Sequence, residues 1–285
     1  MPNHWYHVET PKKPVERPML YSGPMVRAIL ANLKNQTRRI VKGQYDSQNW
    51  EAVYEPRPDT GQSEWRYRLK GAEKSACSAG KCPYGEVGGT IWVRETFKII
   101  SAESGWENST EAGTDFEDGA ATVDYQADNV IRHVTDLGIR QDGVDESEQA
   151  MRFAKRGTFI PSIHMPRWAS RISLEITGVR IERLQDINIS DVEGEGIERR
   201  TIADKYGKQR DAWATAEEWA QAGAKRNYSG VWAPHEVSHA YAPHAYGALW
   251  NRINGANSPI NWYANPLVWV VNFKKLDIDT KPSTQ

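Results

Sequence analysis

The pattern of apolar and polar positions predicts a short amphipathic helix near the amino-terminal end of the chain. Between Met25 and Leu33, apolar residues recur at three- and four-residue spacing, which places them on one side of a helix. Ser22 and Pro24 supply its start, because serine caps helices and a proline in the first turn loses no hydrogen bond. One face of this helix is therefore expected to be buried.

Three later stretches have the patterns of β-strands. Residues 90–95 alternate between two faces, as expected for a strand. The run 172–181 also alternates but is interrupted at Gly178, which predicts either two strands or one bulged strand. The nearly continuous apolar run 267–273 is typical of a strand buried on both faces or closing a barrel.

Two further segments are predicted to be helical. Ser190 is followed three residues later by Glu193, the spacing of a capping box at a helix start. Glu195 would then lie about one turn into a short helix, with its carboxylate free for another role. The Ala-rich segment 212–222 is the second predicted helix.

Other parts of the chain lack a clear period. Residues 1–18 contain four prolines and several charges, which predicts an extended arm. Residues 101–150 contain thirteen acidic residues and two basic ones, with glycines scattered among them. This segment is interpreted as mostly a solvated excursion from the core, with a strand near 121–128.

Composition narrows the class of protein. The formal net charge is −1, from 36 basic and 37 acidic residues, so nucleic-acid contact would require a local patch rather than a generally cationic surface. The chain has no apolar run long enough for a membrane span and no secretory leader, which predicts a cytoplasmic protein. Two cysteines are too few for a disulfide scaffold or a complete structural zinc site.

A local basic cluster lies in the segment 26–42, which has five positive charges and no acid. Such a cluster suits an anionic or carbonyl-bearing ligand at the helix C-terminus. Basic residues there also offset the helix dipole, and charge alone favours that structural interpretation. The five residues are Arg27, Lys34, Arg38, Arg39 and Lys42.

Two other groups of residues have a chemical and a structural interpretation. Arg94 and Glu95 end a predicted strand and form either a structural ion pair or a pair that orients a ligand. His164, Arg167 and Trp168 lie in a proline-flanked loop. They either pack at the start of a strand or offer a stacking platform for a base with polar contacts beside it.

The chain also contains one His-Glu-x-x-His match, at 235–239. On a helix this spacing places two imidazoles on one side for zinc, but such short matches often arise by chance. Pro243 prevents a long helix after the motif. We therefore expect no metal and no other cofactor.

Several blocks of the chain, taken in order, resemble the ASCH-domain family of the PUA-like superfamily, particularly the longer members common in bacteriophages and prophages. The resemblance implies an α+β fold, a PUA-like mixed β-barrel with flanking helices and long insertions. It implies one domain over 19–276 with insertions at about 101–150 and 198–245, and a polar tail at 277–285. The blocks are SGPMVRAILANLKNQTRR, CPYG to WVRET, IHMPRWASRISLEITGVRIERLQDI, EGEGI and NPLVWVVNF.

The family motif is approximately Gly-x-Lys-x-x-Thr-x-Arg, and here it reads Asn32, Lys34, Thr37 and Arg39. Asparagine replaces the usual glycine and is the residue best suited, after glycine, to a left-handed conformation. The family includes small amidohydrolases that deacylate N4-acetylcytidine with a Lys, a Thr and a Glu. By resemblance, those catalytic residues would be Lys34, Thr37 and Glu195.

The resemblance therefore implies a metal-independent hydrolase acting on N4-acylated cytosine nucleosides or a related modified base, in a bacterial or phage-infected cell. Because other family members are described as RNA-binding modules or ribonucleases, the alternative is a non-catalytic module that binds RNA or single-stranded nucleic acid, or a ribonuclease, through the same basic cleft. The expected substrate-binding residues are Arg38, Arg39, Arg94, Glu95, His164, Arg167 and Trp168.

Overall fold

A computed structural model describes residues 16–43, 49–56, 63–73, 77–110, 113–140, 142–203, 208–224 and 239–276. The strands are β1 (Glu16–Leu20), β2 (Gln36–Ile40), β3 (Trp50–Pro56), β4 (Ser63–Leu69), β5 (Cys77–Gly80), β6 (Thr90–Arg94), β7 (Phe97–Glu103), β8 (Trp106–Thr110), β9 (Gly113–Glu117), β10 (Gly119–Tyr125), β11 (Val130–Leu137), β12 (Ser173–Arg183), β13 (Ile197–Ala203), β14 (Gln209–Thr215) and β15 (Leu267–Leu276). The helices are α1 (Gly23–Leu30), α2 (Glu146–Ala154), α3 (Ile189–Gly194), α4 (Ala216–Ala224) and α5 (Ala242–Asn254).

A five-stranded mixed sheet with the order β1-β6-β12-β15-β2 organises the fold. β1 and β6 are parallel, and the other neighbours are antiparallel. β12 is a single strand with a register shift between Ile176 and Gly178, which confirms the bulged-strand alternative. β15 lies between two strands, and its residues 267–271 are all buried, as the apolar run predicted.

The two edge strands of this sheet approach each other. Arg39 Nη2 on β2 donates a hydrogen bond to the Leu20 carbonyl at the end of β1, at 2.6 Å. The predicted mixed α+β class is confirmed, but no closed barrel is found among the described residues. A side-chain hydrogen bond therefore connects the two edge strands, and among the described residues no backbone hydrogen bonds pair them.

Apolar residues pack on both faces of the central sheet. One face of β15, with Trp269 and Val271, packs against α1 through Val26 and Ile29. The opposite face packs against α5. The predicted helix from Ser22 onward is thus confirmed, and its apolar side is held against the sheet.

The acidic segment 101–150 contradicts its interpretation as mostly solvated. β7, β10 and β11 form a three-stranded sheet, and α2 packs on it around a separate apolar core. Ala121, Val123 and Tyr125 alternate on the buried face of β10, with polar residues between them. The strand predicted near 121–128 is confirmed as β10, in which Thr122 and Asp124 occupy the less buried positions. The other strands of the segment and α2 were not predicted, because the count of acids directed attention away from local periods.

Two other boundaries differ from the sequence predictions. Residues 16–18 belong to β1 and pair with β6, so the arm predicted for 1–18 does not extend that far. The predicted helix 212–222 is a strand as far as Thr215, and α4 begins only at Ala216. Pairing with β13 prevails there over the helical preference of alanine.

Some predictions fall on residues outside the described ranges. These are the rest of the arm, residues 1–15, the polar tail 277–285 and most of the His-Glu-x-x-His motif, residues 235–238. Of that motif only His239 is described, and its backbone pairs with Trp213. In the described part of the chain, every helix is too short or too polar to cross a membrane.

Candidate active site

The turn after α1 directs Lys34 into the protein. Asn32 has a φ of +57°, the left-handed conformation for which asparagine is suited. The amides of Leu33 and Lys34 both donate to the Ala28 carbonyl, at 2.8 and 3.1 Å, which closes the turn. Lys34 is consequently only 3% exposed, although a basic residue beyond a helix end is usually solvated.

Glu195 reaches the same place from α3. The predicted capping box was wrong, because Asn188 is the N-cap and its Oδ1 accepts from the Asp191 amide at 2.9 Å. Glu195 is the C-cap residue rather than a residue one turn into the helix. Gly196 follows with a φ of +90°, and a Cβ there would crowd Lys34. The chain therefore turns sharply beside Lys34 and holds Glu195 against it.

Lys34 and Glu195 form a buried ion pair. The Nζ atom of Lys34 lies 2.5 Å from Glu195 Oε2 and 2.9 Å from the Glu195 carbonyl oxygen. Burial lowers the pKa of Lys34, and this effect outweighs the opposing effect of Glu195; the positive charges of Arg39 and Arg38 lower it further. Lys34 therefore holds its proton less tightly than an exposed lysine does.

Arg38 positions Glu195 from the other side. Its side chain is fully buried, with Nη1 3.4 Å from Glu195 Oε1. Its Nη2 lies 2.5 Å from Glu182 and 3.1 Å from Asp191. Nη1 also donates to Gln36 Oε1. Burial lowers the pKa of Arg38, but the surrounding acids, led by Glu195, outweigh that effect and raise it. Arg38 therefore remains a fixed positive charge.

Thr37 and Arg39 project to the opposite face of β2. Thr37 pairs with Val271 and is 3% exposed. The guanidinium of Arg39 lies 5.3 Å from the ring centre of Tyr21. Thr37 has no direct hydrogen bond to Lys34 or Glu195 among the described residues. Both faces of the edge strand thus contribute polar groups to one region.

A small cavity of about 70 Å³ lies at the outer edge of β2. Tyr246 on α5 enters it, and its hydroxyl donates to Glu195 Oε1 at 3.4 Å. Burial, with the charge of Glu195, raises the pKa of Tyr246 well above its ordinary value, so its hydroxyl remains a donor. The lining residues are Met25, Thr37, Arg38, Arg39, Ile40, Glu195, Tyr246, Leu249, Trp250, Ile253 and Asn254.

Two buried donors at this cavity are unused. The Nε atoms of Arg38 and Arg39 have no hydrogen-bond partner within the described part of the chain. An unpaired buried donor is unfavourable unless a ligand or water satisfies it. Arg38 and Arg39, which both line the cavity, thus each have one donor that the described part of the fold leaves unpaired.

Arg94 and Glu95, both predicted to bind substrate, do not line this cavity. Arg94 donates to the carbonyls of Met165 and Ile163, at 3.0 and 2.5 Å. Glu95 forms a buried two-point ion pair with Arg171, at 2.9 and 3.0 Å. The structure places both residues in contacts that join segments of the fold.

The predicted loop cluster also lies apart from the cavity. Arg167 pairs with Glu16 on β1 at 2.7 Å, and His164 is exposed. Trp168 donates to Gln149 on α2 at 2.9 Å and packs on the apolar core of the acidic segment. Of the seven predicted substrate-binding residues, only Arg38 and Arg39 line the cavity that Thr37 and Glu195 share.

Several site residues were missed by sequence reasoning. Glu182, Asp191 and Tyr246 surround Arg38 and Glu195, and all three are distant from Arg38 in the chain. The only local signal was Tyr246, a hydroxyl-bearing residue on the buried side of α5. A buried tyrosine usually needs a hydrogen-bond partner, and that requirement could have marked it.

Comparison of the chain with protein-family models, curated proteins and solved structures gives no match. The chemistry of the site is therefore inferred from its own residues. Thr37, Arg38, Arg39 and Glu195 line one small cavity, and Lys34, whose pKa burial lowers, contacts Glu195 from behind the cavity wall without lining it. These groups meet the needs of acyl transfer to water: a base, an acid and donors for an oxyanion.

Proposed function

We propose that the protein is an amidohydrolase that deacylates N4-acylated cytosine nucleosides, or a related modified base, without a metal. The observation that carries the proposal is the buried contact between Lys34 Nζ and Glu195 Oε2 next to a cavity lined by Thr37. A base and an acid in direct contact can transfer one proton between them during a reaction. The choice of N4-acylcytosine comes from the resemblance of the Lys34 and Thr37 segment to the ASCH family.

In the proposed reaction, Thr37 Oγ1 orients a water molecule that attacks the acyl carbonyl carbon. We assign Thr37 this role because no direct hydrogen bond joins it to Lys34. Neutral Lys34 takes a proton from the attacking water, and the Nε–H groups of Arg38 and Arg39 stabilise the oxyanion. Each hydrogen-bond donor to an oxyanion of this kind typically contributes on the order of 10²–10³ in rate.

The tetrahedral intermediate then collapses and the bond from carbon to nitrogen breaks. The proton accepted by Lys34 passes to Glu195 along their 2.5 Å hydrogen bond, and Glu195 delivers it to the leaving amine. The products are the carboxylic acid and the free cytosine amine, and both site residues return to their starting protonation states. Tyr246 and Arg38 hold the Glu195 carboxylate in position throughout.

Release of cytidine from N4-acetylcytidine by the purified protein tests this function. Lys34→Ala, Thr37→Ala and Glu195→Ala should each lower kcat/KM by about 10²-fold or more, because each removes a group that acts in the transition state. Arg27→Ala is the matched control, since Arg27 belongs to the same basic segment but pairs with Glu217 on the surface. Circular dichroism should show all four variants folded. An inactive wild-type protein on a broad panel of N-acyl nucleosides would exclude the proposal.

The alternative is a non-catalytic nucleic-acid-binding module, or a ribonuclease, that uses the same cleft. The pairing of the basic residues in segment 26–42 gives this alternative less support. Lys34 and Arg38 are buried with acidic partners, and Arg27 pairs with Glu217 at 2.8 Å. Few of the five basic residues therefore remain to contact phosphates. Tight binding of single-stranded RNA that weakens steeply with salt, without any deacylation, would select this alternative.

A further inference from the structure

The cavity beside Glu195 has a buried polar end and an apolar opening. Thr37, Glu195 and Tyr246 are each 5% exposed or less. At the opposite end Ile253 is 53% exposed, which marks the side from which a ligand enters. A substrate that reaches the catalytic groups must therefore insert one end past Ile253.

The volume limits which end of the substrate can enter. The cavity measures about 70 Å³, which is room for only a few water molecules, since each needs about 10–15 Å³ by this measure. A small acyl amide matches this space, and a cytosine ring with its ribose exceeds it. The acyl group must therefore lie inside, with the nucleoside at the opening.

The walls of the cavity also suit an acyl group. Met25 and Leu249 offer apolar side chains, which favour an alkyl group over water. The unused Nε donors of Arg38 and Arg39 suit the carbonyl oxygen of the same group. An acyl group has both features in one compact unit, an alkyl part and a carbonyl.

Helix α5 cannot easily retreat to enlarge the cavity. Gly247 lies so close to Trp262 that a Cβ there would be 2.7 Å from the indole ring. Trp250 Nε1 donates to the Ile260 carbonyl at 2.7 Å, and the Trp262 amide donates to Asn251 Oδ1 at 2.7 Å. These contacts fix the helix that carries Leu249, so the side chain at that position narrows the apolar part of the cavity without being able to move away.

On the basis of the proposed function, we propose that this cavity is an acyl-binding pocket that restricts the enzyme to short acyl groups, and that Leu249 sets the maximum length of the acyl group. The acetyl group of N4-acetylcytidine fills the pocket, while each methylene added to that group must displace a wall that cannot move. A single methylene in a fixed hydrophobic pocket changes kcat/KM by about 10- to 200-fold. The wild-type enzyme therefore prefers acetyl over propionyl, and propionyl over butyryl and benzoyl groups.

The test measures kcat/KM for the acetyl, propionyl, butyryl and benzoyl derivatives of cytidine. Leu249→Ala should raise the ratio of butyryl to acetyl activity by about tenfold or more, and Leu249→Phe should lower the ratio of propionyl to acetyl activity. Both substitutions are at a half-buried position. Ile139→Ala is the control, since Ile139 is 77% exposed and does not line the cavity; it should leave all ratios unchanged.

The outcomes separate this inference from the function on which it rests. If the wild-type protein hydrolyses none of the four substrates, the proposed function is wrong. If it hydrolyses them with no dependence on chain length, or if both Leu249 variants keep the wild-type ratios, the acyl pocket is wrong while the function stands. Opposite shifts in the two Leu249 variants support the pocket even if their overall activity differs from that of the wild type.

Discussion

Two buried ionic clusters lie in this protein, and they use their charges differently. The Arg171 cluster consists of Glu95, Asp128 and Arg171. The Lys34 cluster consists of Lys34, Arg38 and Glu195. Both clusters are built from residues distant in the chain, and each includes a carboxylate less than 6% exposed.

The Arg171 cluster is fully paired. Arg171 donates from Nε and Nη2 to Glu95, at 2.9 and 3.0 Å, and from Nη1 and Nη2 to Asp128, at 2.9 and 2.8 Å. Its guanidinium also lies 4.1 Å from the centre of the Tyr125 ring. All three guanidinium nitrogens thus have a carboxylate partner, which is the arrangement expected of a structural contact.

The Lys34 cluster is incompletely paired. The Nε atom of Arg38 has no partner in the described part of the chain, and a cavity lies beside the Glu195 carboxylate. A protein gains nothing in stability from a buried donor without a partner. The fully paired Arg171 cluster has no room for a ligand atom, whereas the Lys34 cluster borders a cavity. The cavity rather than the unpaired donor marks the expected ligand site, because Tyr21, Arg210 and Trp213 also have buried polar atoms without a partner among the described residues and do not line it.

Glu95→Gln tests the structural half of this comparison and should have the largest effect on stability. It leaves Arg171 buried with one charged partner, so the free energy of unfolding should fall by roughly 3 kcal/mol, as when one member of a buried pair is removed. The kcat/KM of the folded protein for the proposed reaction should not change. Urea denaturation and N4-acetylcytidine hydrolysis measure the two quantities.

Glu86→Gln provides the matched control for that substitution, because the Glu86 side chain is 76% exposed and its pair with Lys81 is 3.8 Å long. Its stability should stay within about 0.5 kcal/mol of wild type. Loss of activity in folded Glu95→Gln, or unchanged stability, would show that the Arg171 cluster has been assigned the wrong role.

Much of the fold could be predicted where a local period was visible. The face of α1, the bulge in β12 and the buried run of β15 all follow from residues close together in the chain. The sheet that contains β10 could not be predicted by counting charges. The buried positions of β10 are small or β-branched residues such as Ala121 and Val123, and the polar residues between them are less buried.

The site was less predictable because its contacts are non-local. Charge alone favoured helix-dipole compensation for Lys34, and only the family resemblance connected it with Glu195. Burial of Lys34 depends on the turn at Asn32 and on the approach of α3, and neither of these can be predicted from a count of charges. Tyr246 and Glu182 meet the cluster only through tertiary packing.

The pH dependence of activity tests whether Lys34 acts as a base. In the proposed mechanism neutral Lys34 is the active form, so kcat/KM should rise with pH through the pKa of Lys34, which burial lowers from its ordinary value. The positive charge of Arg39 also lowers that pKa. Arg39→Gln should therefore raise the pKa of Lys34 and move the rising limb to higher pH, in addition to reducing the maximal rate.

Arg27→Gln is the control for this measurement, because Arg27 is a surface residue paired with Glu217. Its pH profile should coincide with that of the wild type. A rising limb that does not move in Arg39→Gln would assign the titration to a group other than Lys34.

The smallest expected effect concerns the support of Glu195 by α3. Asn188→Ala removes the side chain that caps the helix, which should cost about 1 kcal/mol of stability. Ser190→Ala, at the position where the sequence pattern placed the cap, should change stability by less than about 0.5 kcal/mol. Because α3 ends at Glu195, the loss of the true cap should also lower kcat/KM modestly, whereas the Ser190 variant should match wild type.

Equal effects of the two substitutions on stability would contradict the observed cap. A loss of stability in Asn188→Ala without any change in kcat/KM would show that the contacts of Glu195 with Lys34 and Arg38 hold the carboxylate in place without help from the helix.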